Sequence, residues 1–383
     1  VLLTKFSTAQ SSQGRYLIGP VLDPLFLGGA SIGFALVFQL AVIFDISLSM
    51  AWCPLAFGLL IGQPHFIASY HLLYVDSCKK IFRDPLYFWV GVVFPLFLFG
   101  ALFLTYVSAN PLWIGRWANI MFFFLGWHYV KQVLGCVAVT NALQKFYYSR
   151  FEFFALKASL IALWALAWIN QNVSSGERTR WGFKYFELGL PSWSLHLSYG
   201  LVFVSLTLVI LSHVKKYLRD KSLPAFSAIA SYISIYVWFV PLFFNPFFTP
   251  LISFFHSLQY LVFVYAYRRN RIRVELKSNS YASFSPERLW KINISYYLIL
   301  VLVGGAAFSW APKFIDSLLL LDSKIYGKTA FVFAFATFLN IHHYFIDNVL
   351  WRGDSSDIRA YLTPQARDEQ RIKTFHNASG STL

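Results

Sequence analysis

Charge is scarce in this chain. Asp, Glu, Lys and Arg make up 13% of its 383 residues, against 57% hydrophobic and 20% aromatic. Few soluble folds could bury so much apolar surface, which excludes a water-soluble globular domain as the first reading. Cysteine is scarcer still. Cys53, Cys78 and Cys136 stand far apart and form no CxxC pair, which excludes a disulfide framework and a cysteine-based zinc site. Cys78 falls near an expected membrane edge, where a free thiol is the plain reading and acylation the other. There is no basic arm and no zinc-finger spacing, so the net charge of +15 does not point to nucleic acid. We find no repeat, no low-complexity tract and no second folded domain. The chain starts at Val1, and no cleavable signal peptide is expected near it.

What is present is a series of long apolar runs, which raise the mean hydropathy of the whole chain to +0.54. They predict an all-α, polytopic membrane bundle of about ten spans. The expected bounds are 25–48, 51–75, 85–107, 117–140, 152–170, 195–214, 225–244, 247–267, 293–311 and 328–350. The tight link "NPFF" joins the seventh and eighth, and "APKFIDSLLLLDSKIYG" reads as an interfacial helix before the tenth. Residues 1–24 and 353–383 are polar flanks of a single membrane domain.

Lysine and arginine gather in alternate loops. Lys79, Lys80 and Arg83 follow span two, Lys145 and Arg150 span four, and Lys215, Lys216, Arg219 and Lys221 span six. A larger set from Arg268 to Lys291 follows span eight. The opposite loops are poorer, and the 171–194 loop is mixed in sign. The positive-inside rule then puts both termini in the cytoplasm of what is expected to be a bacterial inner membrane.

Five histidines lie inside these runs: His65, His128, His256, His342 and His343. Ionisable groups at membrane depth are costly and usually face a cavity, a partner or a metal. They fall in spans two, four, eight and ten, which all run in the same direction. Each is roughly 10–16 residues past the outer end, so the rise of an α-helix gives them a common level. That pattern predicts a metal site held by a helix bundle, because neutral imidazole suits iron, copper and zinc.

The neighbours add chemistry. His71, six residues after His65, points to another face and is a candidate for a second metal or for the interface. Lys131 and Gln132 share a face with His128, and Asp347 is one candidate partner for the lysine. Gln259 and Tyr260 share the face of His256, as second-sphere or weakly ligating groups or as a polar seam between helices. His342 and His343 point about 100° apart, so both need not serve one ion. Asn340, His343 and Asp347 form the more polar surface, with Asp347 a candidate ligand or acceptor. The candidate metal set is therefore His65, His71, His128, His256, His342, His343 and Asp347. Lys131, Gln132, Gln259 and Tyr260 are the candidate catalytic or tuning groups.

The segments "IGQPHFIASYH", "LGWHYVKQ", "FFHSLQYLVF" and "IHHYFIDNVLWR" resemble, in order and spacing, the histidine segments of the Brp/Blh family of membrane enzymes that cleave β-carotene to retinal. The resemblance covers about 60 residues. It implies an all-helical membrane fold, non-haem iron, dioxygen and an isoprenoid substrate. It carries iron-ligand roles onto His65, His128, His256 and one of His342 and His343. Where the family has a second histidine four residues after the third, this chain has Tyr260, and the family lacks a counterpart of His71. The HxxxH and HxxHH boxes of desaturases and hydroxylases are absent.

The expectation is a membrane-embedded non-haem iron oxygenase or oxidase, with one or two irons. It would use O2 on a lipid-soluble substrate such as an isoprenoid, carotenoid or acyl lipid, with an electron donor as a further partner. Two other readings fit the same residues. One is a haem-binding electron-transfer subunit. The other is a proton-coupled transporter using the buried His, Lys and Asp. A structural or assembly subunit is a further option.

Overall fold

The computed structural model describes residues 15–44, 58–180, 183–242, 249–278, 286–319 and 329–362. Apart from one β-hairpin, the described regular structure is helical. The elements are α1 (22–43), α2 (58–76), α3 (Pro85–Val107), α4 (Pro111–Leu143), α5 (Arg150–Asn170), β1 (Ser175–Arg180) and β2 (Phe183–Leu188). They continue as α6 (Ser192–Asp220), α7 (Phe226–Leu242), α8 (Thr249–Ser278), α9 (286–318), α10 (Ala330–Leu350) and α11 (Ser356–Tyr361). A short turn of helix, Cys78–Ile81, sits between α2 and α3 and leaves Cys78 exposed.

Among the described residues five helices, α3, α4, α5, α6 and α9, are long and apolar enough to cross a membrane. The lipid-facing signature is on their outer sides. Leu96, Phe97 and Phe103 of α3, Phe203 and Leu211 of α6, and Leu302 of α9 are all exposed. The interior instead holds polar groups, among them Asn119, Asn141, Ser159, Ser231 and Gln259. Apolar outside and satisfied polar groups inside is the arrangement a bilayer imposes. Helices α2, α8 and α10 are not among the five, because their histidines and polar ends lower the mean hydropathy.

Local chemistry sets the helix starts. Asn110 caps α4 through Leu112 N–H at 3.0 Å, with Pro111 in the first turn, where a missing N–H costs nothing. Ser149 and Glu152 form a reciprocal capping box at α5. Small residues let helices touch. A Cβ on Gly28 of α1 would lie 2.1 Å from the Ala230 carbonyl oxygen of α7, so only glycine permits that approach. Helix α2 is wound as a π-helix over Gly58–Gly62 and Leu72–Asp76, on either side of the α-helical Gln63–His71. Such wide turns rotate the faces that follow them.

The 171–194 stretch, expected as a loop of mixed charge, forms the hairpin. Ser175 pairs with Leu188 and Arg180 with Phe183. The hairpin is pinned to α4. Tyr185 is fully buried, and Phe186 occupies the space a Cβ on Gly115 would need. Asn119 donates to the Phe186 carbonyl at 3.0 Å. The interfacial helix expected after span nine is partly different as well, since 311–318 continues α9. "NPFF", residues 1–14 and the tail from 363 lie outside the described residues.

Candidate metal centre

Each of α2, α4, α8 and α10 delivers one histidine to a common point. His65, His128, His256 and His343 are all buried, and one ring nitrogen from each lies within 4.8 Å of the others. The rings touch on several sides. His65 is 4.3 Å from His343 and 5.0 Å from His256, and His128 is 4.7 Å from His256, centroid to centroid.

The hydrogen bonding shows what the group is suited to hold. The Ser257 hydroxyl donates to the Ser253 carbonyl at 2.7 Å, so it can only accept from His65 Nδ1, 3.2 Å away. That fixes the proton on Nδ1 and leaves the His65 Nε2 lone pair free. His65 Nε2 is buried with no hydrogen-bond partner among the described residues, as are both nitrogens of His343. His128 Nε2 and His256 Nε2 are 3.1 Å apart. Bonds of about 2.0–2.1 Å to a shared ion would set neighbouring nitrogens about 3–4 Å apart, so this spacing fits imidazoles around one ion. Buried nitrogens without partners are costly unless something satisfies them. His65 and His343, with unpartnered nitrogens, and His128 and His256, whose Nε2 atoms face only each other, make up a donor set for a first-row metal ion.

A second polar layer lies one helical turn further on. Four residues after each of the four histidines stands a polar residue: Ser69, Gln132, Tyr260 and Asp347. Three of them meet. Ser69 Oγ lies 2.5 Å from Tyr260 Oη, and both donate to Asp347 Oδ1, at 2.8 and 2.9 Å. That contact requires α2, α8 and α10 to run the same way past the site. With Oδ1 held, Asp347 Oδ2 turns toward the histidines, 3.3 Å from His343 Nε2 and 3.6 Å from His128 Nε2. Oδ2 and His343 Nε2 are close yet make no hydrogen bond, which is how two donors facing one ion are placed.

The remaining expected residues fall elsewhere. His342 is turned away from the cluster. Its Nδ1 accepts from Tyr70 Oη at 2.9 Å and its Nε2 donates to the Val90 carbonyl at 3.0 Å. His71 also lies apart, 3.8 Å from Asp76 and against the Tyr296 ring. Lys131 does not pair with Asp347, because that carboxylate points inward. Its ammonium instead donates to Asn348, one residue on and outward-facing, and lies over the Trp127 ring. Gln132 reaches the His256 backbone carbonyl at 2.8 Å and Gln259 at 3.1 Å, not a ring. Gln259 is fully buried and bonds the Leu27 carbonyl and Ser234, tying α8 to α1 and α7 without touching an imidazole. Tyr260 packs edge-on against His65 and holds Asp347.

Three supporting residues were not expected. Ser69 and Ser257 orient a carboxylate and an imidazole, and Tyr344 stacks on His128 at 4.6 Å. The four-residue interval after each histidine was the available signal for Ser69.

A cleft of about 320 Å³ opens beside the centre. His128, Tyr260 and Asp347 line its inner end, and Val139, Phe263, Trp351 and Leu362 form apolar walls. Comparison of the chain with protein-family models, with curated proteins and with solved structures finds no match.

Proposed function

We propose that the protein is a membrane-embedded non-haem iron oxygenase or oxidase that acts with O2 on a lipid-soluble substrate. The observation that carries this reading is the convergence of four buried imidazoles from four helices, with His65 Nε2 and both His343 nitrogens left without a partner among the described residues. His65, His128, His256 and His343 would hold the ion, with Asp347 beside them. A redox-active ion held there would supply the capacity to activate O2 and to exchange single electrons, which these side chains lack. The protein's own part is placement. Ser257 sets the tautomer of His65, while Ser69 and Tyr260 aim Asp347. The cleft keeps the reacting end of an apolar molecule beside His128 and away from water.

Iron is favoured by the similarity of the histidine segments to the Brp/Blh enzymes, and the imidazole and carboxylate donors suit it. The ring spacings of 4.3–5.0 Å leave no slot for a porphyrin between the histidines, which favours a non-haem ion over haem. The test is oxygen uptake by iron-loaded protein supplied with a lipid extract. Lipid-dependent uptake, lost in His343→Ala, is expected. Metal-loaded protein that consumes no oxygen with any lipid fraction would refute the oxygenase.

The same reading places the chain in a bacterial inner membrane with both termini cytoplasmic. In a cysteine-free background, Ser174→Cys on the hairpin side and Val274→Cys at the end of α8 should react with impermeant maleimide from opposite sides. Reaction of both from one side would refute the orientation.

A further inference from the structure

The cleft beside the centre has a charge pattern that the proposed function does not use. On α4 its lining residues are Trp127, His128, Lys131, Gln132, Gly135, Cys136 and Val139, which form one helical face. On α10 they are Tyr344, Asp347 and Asn348, with Trp351 just beyond. Phe263 of α8 and Leu362, just past α11, close the far end. The cleft is therefore polar at the histidines and apolar along Val139, Phe263 and Leu362, with Arg352 on its lining beyond Trp351.

Lys131 stands at its exposed flank, three residues beyond His128. That places it about 4.5 Å further along the helix axis. It lies inside a helix long and apolar enough to span a membrane, where an ammonium needs a counter-charge. Among the described residues its partners are the Asn348 amide oxygen and the Trp127 ring, and no carboxylate pairs with it. Arg352, the other cation on the lining, is already paired with Asp354. Asp347 is turned inward and held by Ser69 and Tyr260. The cleft thus presents one uncompensated positive charge within one turn of the metal centre, at the head of an apolar channel.

We infer that the cleft binds a single-chain amphiphile whose anionic head sits on Lys131, with its chain along Val139, Phe263 and Leu362. Because Lys131 is one turn from His128, the atoms next to the centre are those near the head, not the far end of the chain. The Lys131–Asn348 contact closes the exposed flank, and an anionic head would take the place of Asn348. This substrate class rests on the oxygenase reading for its chemistry, but the binding itself needs no metal.

The test uses the full chain in dodecyl maltoside micelles and three probes: 12-bromododecanoate, 12-bromododecyl phosphate and 12-bromododecanol. Bromine quenches the fluorescence of Trp127 and Trp351 when the chain lies in the cleft. Saturable quenching by an anionic probe is expected, and it should vanish in Trp127→Phe/Trp351→Phe. Tighter binding of the carboxylate or of the phosphate identifies the head group. Lys131→Gln should weaken the anionic probe at least tenfold, and Lys131→Arg should retain it. Equal binding of alcohol and anion by the wild type, or unchanged binding by Lys131→Gln, would overturn the inference while leaving the metal centre intact. In His343→Ala the anionic probe should still bind. Lys131-dependent binding in a protein that never takes up iron would support this inference and remove the oxygenase reading instead.

Discussion

Replacing His343 by alanine is expected to strip the protein of its metal, while the same change at its neighbour His342 leaves the metal in place. The two histidines are adjacent in sequence but differ in what satisfies them. His343 is fully buried, and neither ring nitrogen has a hydrogen-bond partner among the described residues. It lies 4.3 Å from the His65 ring and 5.0 Å from the His128 ring. His342 has both nitrogens occupied, by Tyr70 and the Val90 carbonyl. Loss of a supporting group around a metal typically costs about 10–100-fold in affinity, and loss of a ligand should cost more. His342→Ala should instead lower stability by about 1–3 kcal/mol, the usual effect of leaving a buried polar partner unmatched. Metal content and thermal denaturation of the two variants in parallel would check this. Equal loss of metal in both would mean that the cluster is not organised around His343. His128→Ala should behave like His343→Ala.

Asp347→Asn is expected to weaken metal binding by about 10–100-fold without unfolding the protein. The amide keeps the shape of the side chain and an oxygen that can still accept from Ser69 and Tyr260. It loses the negative charge that Oδ2 presents 3.3 Å from His343 and 3.6 Å from His128. In a water-poor site that charge favours a divalent ion more than it could at the surface. Asp347→Ala should be worse, because it also leaves two buried hydroxyls, Ser69 and Tyr260, without their shared acceptor. Chelator competition would give the affinities. Unchanged affinity in Asp347→Asn would place the carboxylate outside the ion's influence.

Much of the centre was legible in the sequence because a membrane span leaves few reasons for a histidine at mid-depth. Parallel spans and equal depth brought His65, His128, His256 and one of the pair together on paper. The choice between His342 and His343 was harder. The polar face shared by Asn340, His343 and Asp347 pointed one way, but spacing in the family resemblance pointed both ways. The structure places His343 in the cluster because α10 turns that face inward, and gives His342 its own partners in Tyr70 and Val90. Lys131 was misplaced because helical spacing shows which residues share a face, not which of Asp347 and Asn348 turns toward it. The hairpin over Ser175–Leu188 was missed because its charges read as a loop, whereas it packs through Phe186 against Gly115, some 70 residues earlier. Of the ten expected spans, five coincide with helices long and apolar enough to cross a membrane among the described residues, and α2, α8 and α10, which carry site histidines, are not among them.

The most direct test of the central claim is metal analysis, with X-ray absorption, of the wild-type protein purified without oxygen. The account predicts one iron per chain, bound by nitrogen and oxygen donors at about 2.0–2.3 Å. A protein that holds no metal under conditions that preserve iron would contradict it, and the four imidazoles would then have to satisfy one another.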